Sequence, residues 1–382
     1  MCNTRPHGIN SALPRHEPPL PPLIGEMGRT AHMALPRINA IATALPDRDV
    51  HAAYNSWATR QIDDDRKAAV FARMMERSGI DHRYSVLSDA DARIDFGSFY
   101  DAESPPGTAE RMRRYADAAP DLALDAIRKL PELDGITHLV TASCTGFMAP
   151  GLDQVVARRL GLDPAVERVS IGFMGCYAGI TLLRTAAHIV RSRPDARVLA
   201  LSVELCTLHM QETDDLEALL AMGQFADGAA AAIVSGTGAG LALGESLSAT
   251  IDDSEELITW TITDTGFVMH LSGAVPGRLA DTIGEGNLPA TLKGDERASS
   301  WAVHPGGRSI LDAVERGLDL RDDALDTSRR VLAESGNMSS ATVLFVLGEM
   351  MADHPEKGVA LAFGPGLAME GLRFGWTDGD AG

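Results

Sequence analysis

Apolar and polar positions fall into short blocks whose periods predict alternating strands and helices. Ordered patterning begins near Met33, and Ala34 to Leu45 is apolar enough for a strand. Residues 62–79 (IDDDRKAAVFARMMERSG) predict a helix: acids at its start, a glycine after it, and Val70, Phe71 and Met74 on one side. Residues 107–131 predict one or two helices, clearest from Leu122 to Leu130. THLVTASCTG (137–146) is an apolar run ending in small polar residues, as a buried strand delivering a loop would be. VERVSIGFMGCYAGITLLRTAAHIVRS (166–192) predicts strand, sharp glycine-flanked turn, then helix. That helix opens with Ala178, Gly179, Ile180, Leu182 and Leu183, so it should be central. ARVLALSVELCT (196–207) is a second strong strand, and GQFADGAAAAIVSG (223–236) a Gly/Ala-rich helix or strand entry.

The second half starts about residue 246, with the charged stretch DDSEELI (252–258) marking a seam. Residues 257–271 look extended and GRLADTIGE (277–285) helical. SWAVHPGGRSILDAVERGL (300–318) predicts strand, loop, helix. Residues 327–351 predict a helix, a Gly-Asn break and an apolar helix. Residues 357–375 predict two strands joined by Gly-Pro-Gly. The alternation argues for an α/β class with a buried sheet, and its presence in both halves is compatible with a diverged duplication. The expected organisation is a disordered Pro-rich tail at 1–32, an N-terminal half at 33–245 and a C-terminal half at 246–382.

Composition narrows the class. The 382 residues are 45% hydrophobic and 23% charged, which excludes wholesale disorder and a collagen-like fibre. No apolar run is long enough for a membrane span. A net charge of −19 argues against nonspecific nucleic-acid or anionic-membrane binding, while leaving room for a local basic patch. The first 25 residues hold Arg5, His7, Arg15 and His16 among six prolines and no apolar core, unlike a signal peptide. Cys2, Cys144, Cys176 and Cys206 show neither disulfide-dense nor zinc spacing, so free thiols in the cytoplasm, and no metal, are expected.

Cys176 sits in MGCYAG, after a strand and before a buried helix whose N-terminus should lower its pKa. Gly175 and Gly179 permit a tight turn and close approach. The plain alternative is a buried small hydrophobe. His304 lies at a strand end in VHPGG, and Asn337 in SGNMSSA could be an ordinary helix cap. Together they make a thiol–imidazole pair with an amide to orient or polarise. Acyltransferases and papain-like proteases share that constellation, but the protease cue C-G-[SA]-C-[WY] is absent.

GCYAG, WAVHPGGRSILD, GNMSSATVLFVL and LAFGPG, in that order, resemble the chalcone synthase-like type III polyketide synthases from about Met33 to Phe374. The resemblance implies a thiolase fold, a duplicated five-layer αβαβα arrangement, in a homodimer. It implies Cys176 as the nucleophile taking the starter acyl group. His304 and Asn337 would bind the thioester carbonyl and drive malonyl-CoA decarboxylation. Phe225, in QFADGAA, matches one gatekeeper, and the second gatekeeper position falls on Met269. Gly364, Pro365 and Gly366 match a cavity-shaping loop, while Cys144, Cys206, His209 and Trp260 fall on cavity positions. Arg73 and Arg77, four apart on one helix face, align with basic positions that bind coenzyme A, and Gly306 and Gly307 join that set. A solvated helix face is the plain alternative for the two arginines.

The function implied is condensation of an acyl-CoA starter, a fatty acyl-CoA by preference, with malonyl-CoA. Closure to an alkylresorcinol or alkylpyrone follows, with no cofactor beyond the CoA thioesters and no acyl carrier protein. Two rivals stand beside it: a ketoacyl-ACP synthase III-like condensing enzyme and a noncatalytic thiolase-fold acyl-binding protein.

Overall fold

A computed structural model describes residues 34–87, 97–100, 105–285 and 298–379; the Pro-rich segment 1–32 lies outside them. The first half runs β1 (Arg37–Ala44), β2 (Arg48–Asp49), α1 (His51–Thr59), α2 (Asp65–Glu76), β3 (Tyr84–Ser85), α3 (Thr108–Ile127) and β4 (His138–Ser143). It continues through α4 (Leu152–Leu160), β5 (Glu167–Gly172), α5 (Ala178–Ser192), β6 (Arg197–Leu205), α6 (Leu216–Met222) and β7 (Asp227–Ser235). The rest comprises β8 (Gly240–Thr250), the hairpin β9 (Ile258–Thr263) and β10 (Gly266–Leu271), α7 (Val275–Glu285), β11 (Ser300–Val303) and α8 (Arg308–Leu318). It closes with α9 (Asp326–Ser335), α10 (Thr342–Met350), β12 (Gly358–Gly364) and β13 (Ala368–Thr377).

Nine strands hydrogen-bond in the order β11-β12-β13-β8-β1-β7-β6-β4-β5. The two halves repeat one pattern. In β4-β6-β7-β1 the pairings run parallel, antiparallel, antiparallel. In β11-β12-β13-β8 they run the same way. The halves join where β1 meets β8 at Arg37↔Ala242 and Ile38↔Leu241.

Side-chain alternation assigns the layers. Along β6, Val198 and Ala200 face a core shared with α5 and α10. Leu199, Leu201 and Val203 face the opposite core, against α1, α3 and α4. α5 packs on β4, β6 and β7 of one half and on β12 and β13 of the other, and α10 packs on β1, β7, β11 and β12. On the far side, Val275, Leu279 and Ile283 of α7 and Leu311 and Val314 of α8 pack with Val303, Val359 and Leu361. The result is helix, sheet, helix, sheet, helix: the thiolase-type arrangement.

Several elements differ from the sequence reading. The Gly/Ala-rich segment is the strand β7, buried at every position. Its alanines let helices approach both faces of the sheet. On α2, Asp64 caps the N-terminus by accepting from the Arg66 and Lys67 N–H groups, and Phe71 and Met75 are buried. Val70 and Met74, expected beside Phe71, are exposed instead. The helices α1, α4 and α6 were not expected; such short helices draw their stability from packing more than from their own propensity. Residues 245 and 246 lie within β8, which pairs with β13 from Gly240 to Thr250.

Candidate active site

The turn after β5 carries the nucleophile candidate. Gly175 has φ +80°, which an L side chain resists, and a Cβ there would come within 2.2 Å of Pro365 Cδ. Ala178 N–H donates to Gly175 O at 2.9 Å, starting α5 immediately after Cys176. A Cβ on Gly364 would come within 2.7 Å of Tyr177 Cδ1 and 3.3 Å of Cys176 N. The Gly-Pro-Gly link between β12 and β13 is therefore packed onto the Cys176 turn.

His304 follows β11, held by its N–H donating to Leu361 O at 2.7 Å. Its side chain is buried, and neither ring nitrogen has a hydrogen-bond partner among the described residues. Burial pushes its pKa down to about 3, so the imidazole is neutral. Asn337 lies in the break between α9 and α10. Its N–H donates to Gln224 O, and its carbonyl accepts from Ala226 N–H, both at 2.9 Å. Its Oδ1 accepts from Ser339 N–H at 2.8 Å, a local turn two residues long rather than a helix cap, since the N-cap of α10 is Ala341. Its Nδ2 donates to Gly306 O at 3.3 Å.

These three side chains line one chamber of about 50 Å³, with Cys144, Cys206, Phe225, Trp260, Met269, Gly306, Gly364 and Pro365. A side chamber of about 290 Å³, lined by His209 and Gln211 among others, shares Cys206, Phe225, Trp260 and Met269 as its wall with the first. An outer cleft of about 770 Å³ shares Leu271, Gly306 and Ile310 with the catalytic chamber. Lys67 and Met74 of α2 line that cleft, whereas Arg73 and Arg77 are exposed outside it. Gly307 and Gly366 line none of these chambers. Gly307 backs onto Gln224, whose Oε1 lies 2.0 Å from where a Cβ would stand.

The roof is the β9–β10 hairpin, whose cross-strand neighbours Trp260 and Met269 both face the chambers. Trp260 Nε1–H donates to Cys144 O at 2.9 Å. His209 donates from Nε2 to Thr145 O at 2.7 Å and accepts at Nδ1 from Phe267 N–H at 3.1 Å, so both ring nitrogens are used. Its ring stacks on Phe267 with centroids 4.2 Å apart.

The electrostatics correct one expectation. Burial pushes the Cys176 thiol up to about 12 rather than down. Hydrogen bonds from Ser339 and Asn337 pull it back, and the charge of Glu204 pushes it further up. Glu204 was missed, although a glutamate within the apolar run VLALSVEL is a sequence signal. It is buried and accepts from Cys144 N–H at 2.9 Å, from Thr145 Oγ1–H at 2.8 Å and from the Ser340 hydroxyl. Burial raises its pKa to about 7. Cys144 Sγ accepts from Gly175 N–H at 3.0 Å, which ties that thiol to the turn. Among the described residues no cluster could hold a metal ion.

Comparison with known proteins agrees with this geometry. The N-terminal domain of chalcone and stilbene synthases matches residues 27–238, and the C-terminal domain matches 243–375. The chain is 32% identical over 383 residues to bisdemethoxycurcumin synthase of Oryza sativa subsp. japonica, covering 91% of this chain and 94% of that one. It is 30% identical over 362 residues to the alpha-pyrone synthesis polyketide synthase-like Pks18 of Mycobacterium tuberculosis, covering 88% and 90%. PKS-I from the brown alga Ectocarpus siliculosus superposes with TM-score 0.79 at 28% identity, over 91% of this chain and 100% of that one. The C-terminal type III polyketide synthase domain of Steely1, a type I/III hybrid from Dictyostelium, gives TM-score 0.79 at 26% identity, over 90% and 99%. A thiol, an imidazole and an amide converge in a thiolase-type fold matched by one family over residues 27–238 and 243–375, and the chain belongs to the chalcone and stilbene synthases, the type III polyketide synthases that transfer acyl groups by decarboxylative condensation.

Proposed function

We propose that the protein makes an alkylpyrone or alkylresorcinol from a fatty acyl-CoA and malonyl-CoA, in the cytoplasm, with no carrier protein and no further cofactor. The observation that carries the reading is the buried His304, whose two ring nitrogens have no partner among the described residues beside Cys176 and Asn337. An unsatisfied buried donor costs free energy until a ligand oxygen takes it. The Cys176 sulfur attacks the acyl-CoA carbonyl, and its proton leaves with the departing CoA thiol. Malonyl-CoA then loses CO2, and the enolate carbon displaces Cys176 from the acyl group. His304 N–H and Asn337 Nδ2–H stabilise the enolate oxygen, where charge develops.

The preference for a long acyl chain draws on two further supports. One relative's name specifies alpha-pyrone synthesis. The side chamber of about 290 Å³ lies directly behind the wall of the catalytic chamber. The outer cleft suits the pantetheine arm, with Lys67 inside it and Arg73, on the same helix, and Arg77, at its C-terminal cap, for the phosphates. Asp214, Asp215 and Glu217 also line the cleft, and their charge disfavours phosphates there and leaves the arginines of α2 and its C-terminal cap as the phosphate side. A homodimer is part of the proposal: β5 is an exposed edge strand paired on one side only, with Val169 and Phe147 exposed nearby.

Mass spectrometry of products from malonyl-CoA and a panel of acyl-CoAs tests the reading. Pyrones or resorcinols bearing the fatty chain are the expected products. Products from aromatic starters alone would overturn it.

A further inference from the structure

The geometry points to Arg83 as a positioning residue for the reaction: its buried guanidinium fixes the turn that presents Phe225 and the amide of Asn337. The inference rests on the reading of Asn337 as a donor to the enolate. Arg83 is fully buried, and the carboxylates of Asp49 and Asp227 act on its charge without a direct ion pair among the described residues. One amino group donates to Phe225 O at 2.8 Å and to Met222 O at 3.2 Å. Its Nε–H donates to His51 Nδ1 at 3.3 Å, and its guanidinium carbon stands 4.4 Å from the centre of the Tyr54 ring. The other amino group, Nη2, is buried without a partner among the described residues.

A buried cation with no carboxylate in direct contact is a poor device for stability, since desolvation outweighs the distant charges of Asp49 and Asp227 and an apolar side chain could fill its volume. What it holds is more specific. The carbonyls of 222 and 225 belong to the turn that leads into β7. That turn is stitched to the catalytic break by Asn337 N–H to Gln224 O and by Ala226 N–H to Asn337 O. Arg83 also packs behind Gly336, where a Cβ would come within 2.8 Å of its Cγ. Gly336 has φ +71° and immediately precedes Asn337. One side chain therefore braces both strands of the Phe225–Asn337 bridge from the side away from the chamber. A shift of about 1 Å in a positioned group can cost about 100-fold in rate.

The test separates the two half-reactions in Arg83→Met and Arg83→Lys, measured well below each variant's melting temperature. Decarboxylation of malonyl-CoA to acetyl-CoA should fall by roughly tenfold or more in Arg83→Met, within that range. Acylation of Cys176, read by intact-protein mass, should change only a few-fold. Arg83→Lys keeps the charge but lacks the fork that spans two carbonyls, so it should show the same split in milder form. If both half-reactions fall together, in proportion to the fraction folded, Arg83 is a structural filler and the proposal is overturned. Asn337→Ala runs beside them: a wild-type decarboxylation rate there would overturn the reading of Asn337 itself, and the proposal with it.

Discussion

Burial outweighs the donors around Cys176 and favours its neutral thiol. Replacing it by alanine removes the covalent route. Cys176→Ala should fold, form no acyl-enzyme and yield no polyketide by mass spectrometry. Asn337→Ala should slow malonyl-CoA decarboxylation by about 2.7–4 kcal/mol of barrier, the range for losing one such donor, while starter still acylates Cys176. Glu204 supplies a pH signature. Its pKa is 4.5 as a free side chain and about 7 when folded, so between those values the folded chain holds a proton that the unfolded chain has lost. Its contribution to stability therefore declines as pH rises through that window. Glu204→Gln mimics the protonated acid and should lose less melting temperature than wild type on going from about pH 5 to about pH 8. It should also let iodoacetamide alkylate Cys176 faster at neutral pH, since the Glu204 charge opposes the thiolate. Identical profiles for the two proteins would refute the coupling.

At the scale of elements, the site depends on how closely two helices cross. A Cβ on Gly179, in the first turn of α5, would come within 2.2 Å of Ser340 O and 2.8 Å of Val343 Cγ1. Gly179→Ala should destabilise by about 1–3 kcal/mol, as overpacking does, with a lower melting temperature in calorimetry. An unchanged transition would show that α5 and α10 can part freely. The β9–β10 hairpin makes the other element-scale prediction. Trp260→Gly removes the shared wall and one hydrogen bond to Cys144 O, so the number of extensions or the ring closure should change while Cys176 acylation persists. An unchanged product spectrum with a large stability loss would refute a role in product choice. Much of this was legible in the sequence. The strand–turn–helix around Cys176, the strand–loop–helix around His304 and the Gly-Pro-Gly link all carry strong local punctuation. The alanines of β7 suit helix and strand alike, so only their neighbours settle the matter. Val70 and Met74 carry an apolar pattern that no described element covers, and Arg83 and Glu204 acquire their surroundings from segments distant in sequence.

The whole molecule inherits its symmetry from the repeated strand pattern. Cys176 precedes α5 and Asn337 precedes α10, so the nucleophile and the amide occupy matching places in the two halves. Cys144 after β4 and His304 after β11 match in the same way. The exposed edge of β5 belongs to this scale too. Sedimentation velocity should give a dimer, and Val169→Lys, a charge placed on that edge, should shift it to monomer with little change in circular dichroism. A wild-type monomer would refute that interface. The matched helices have one more consequence. α5 begins two residues after Cys176, and the turn Ser339–Ala341 that leads into α10 puts Ser339 on the same chamber wall, so the N-terminal ends of two helical columns lie near a single small volume. A thioester on Cys176 becomes a probe of local field: its carbonyl stretch should move to lower wavenumber in infrared difference spectra than the same thioester in an apolar solvent. Most of that displacement should survive Asn337→Ala, because the backbone columns, unlike the amide, are still in place.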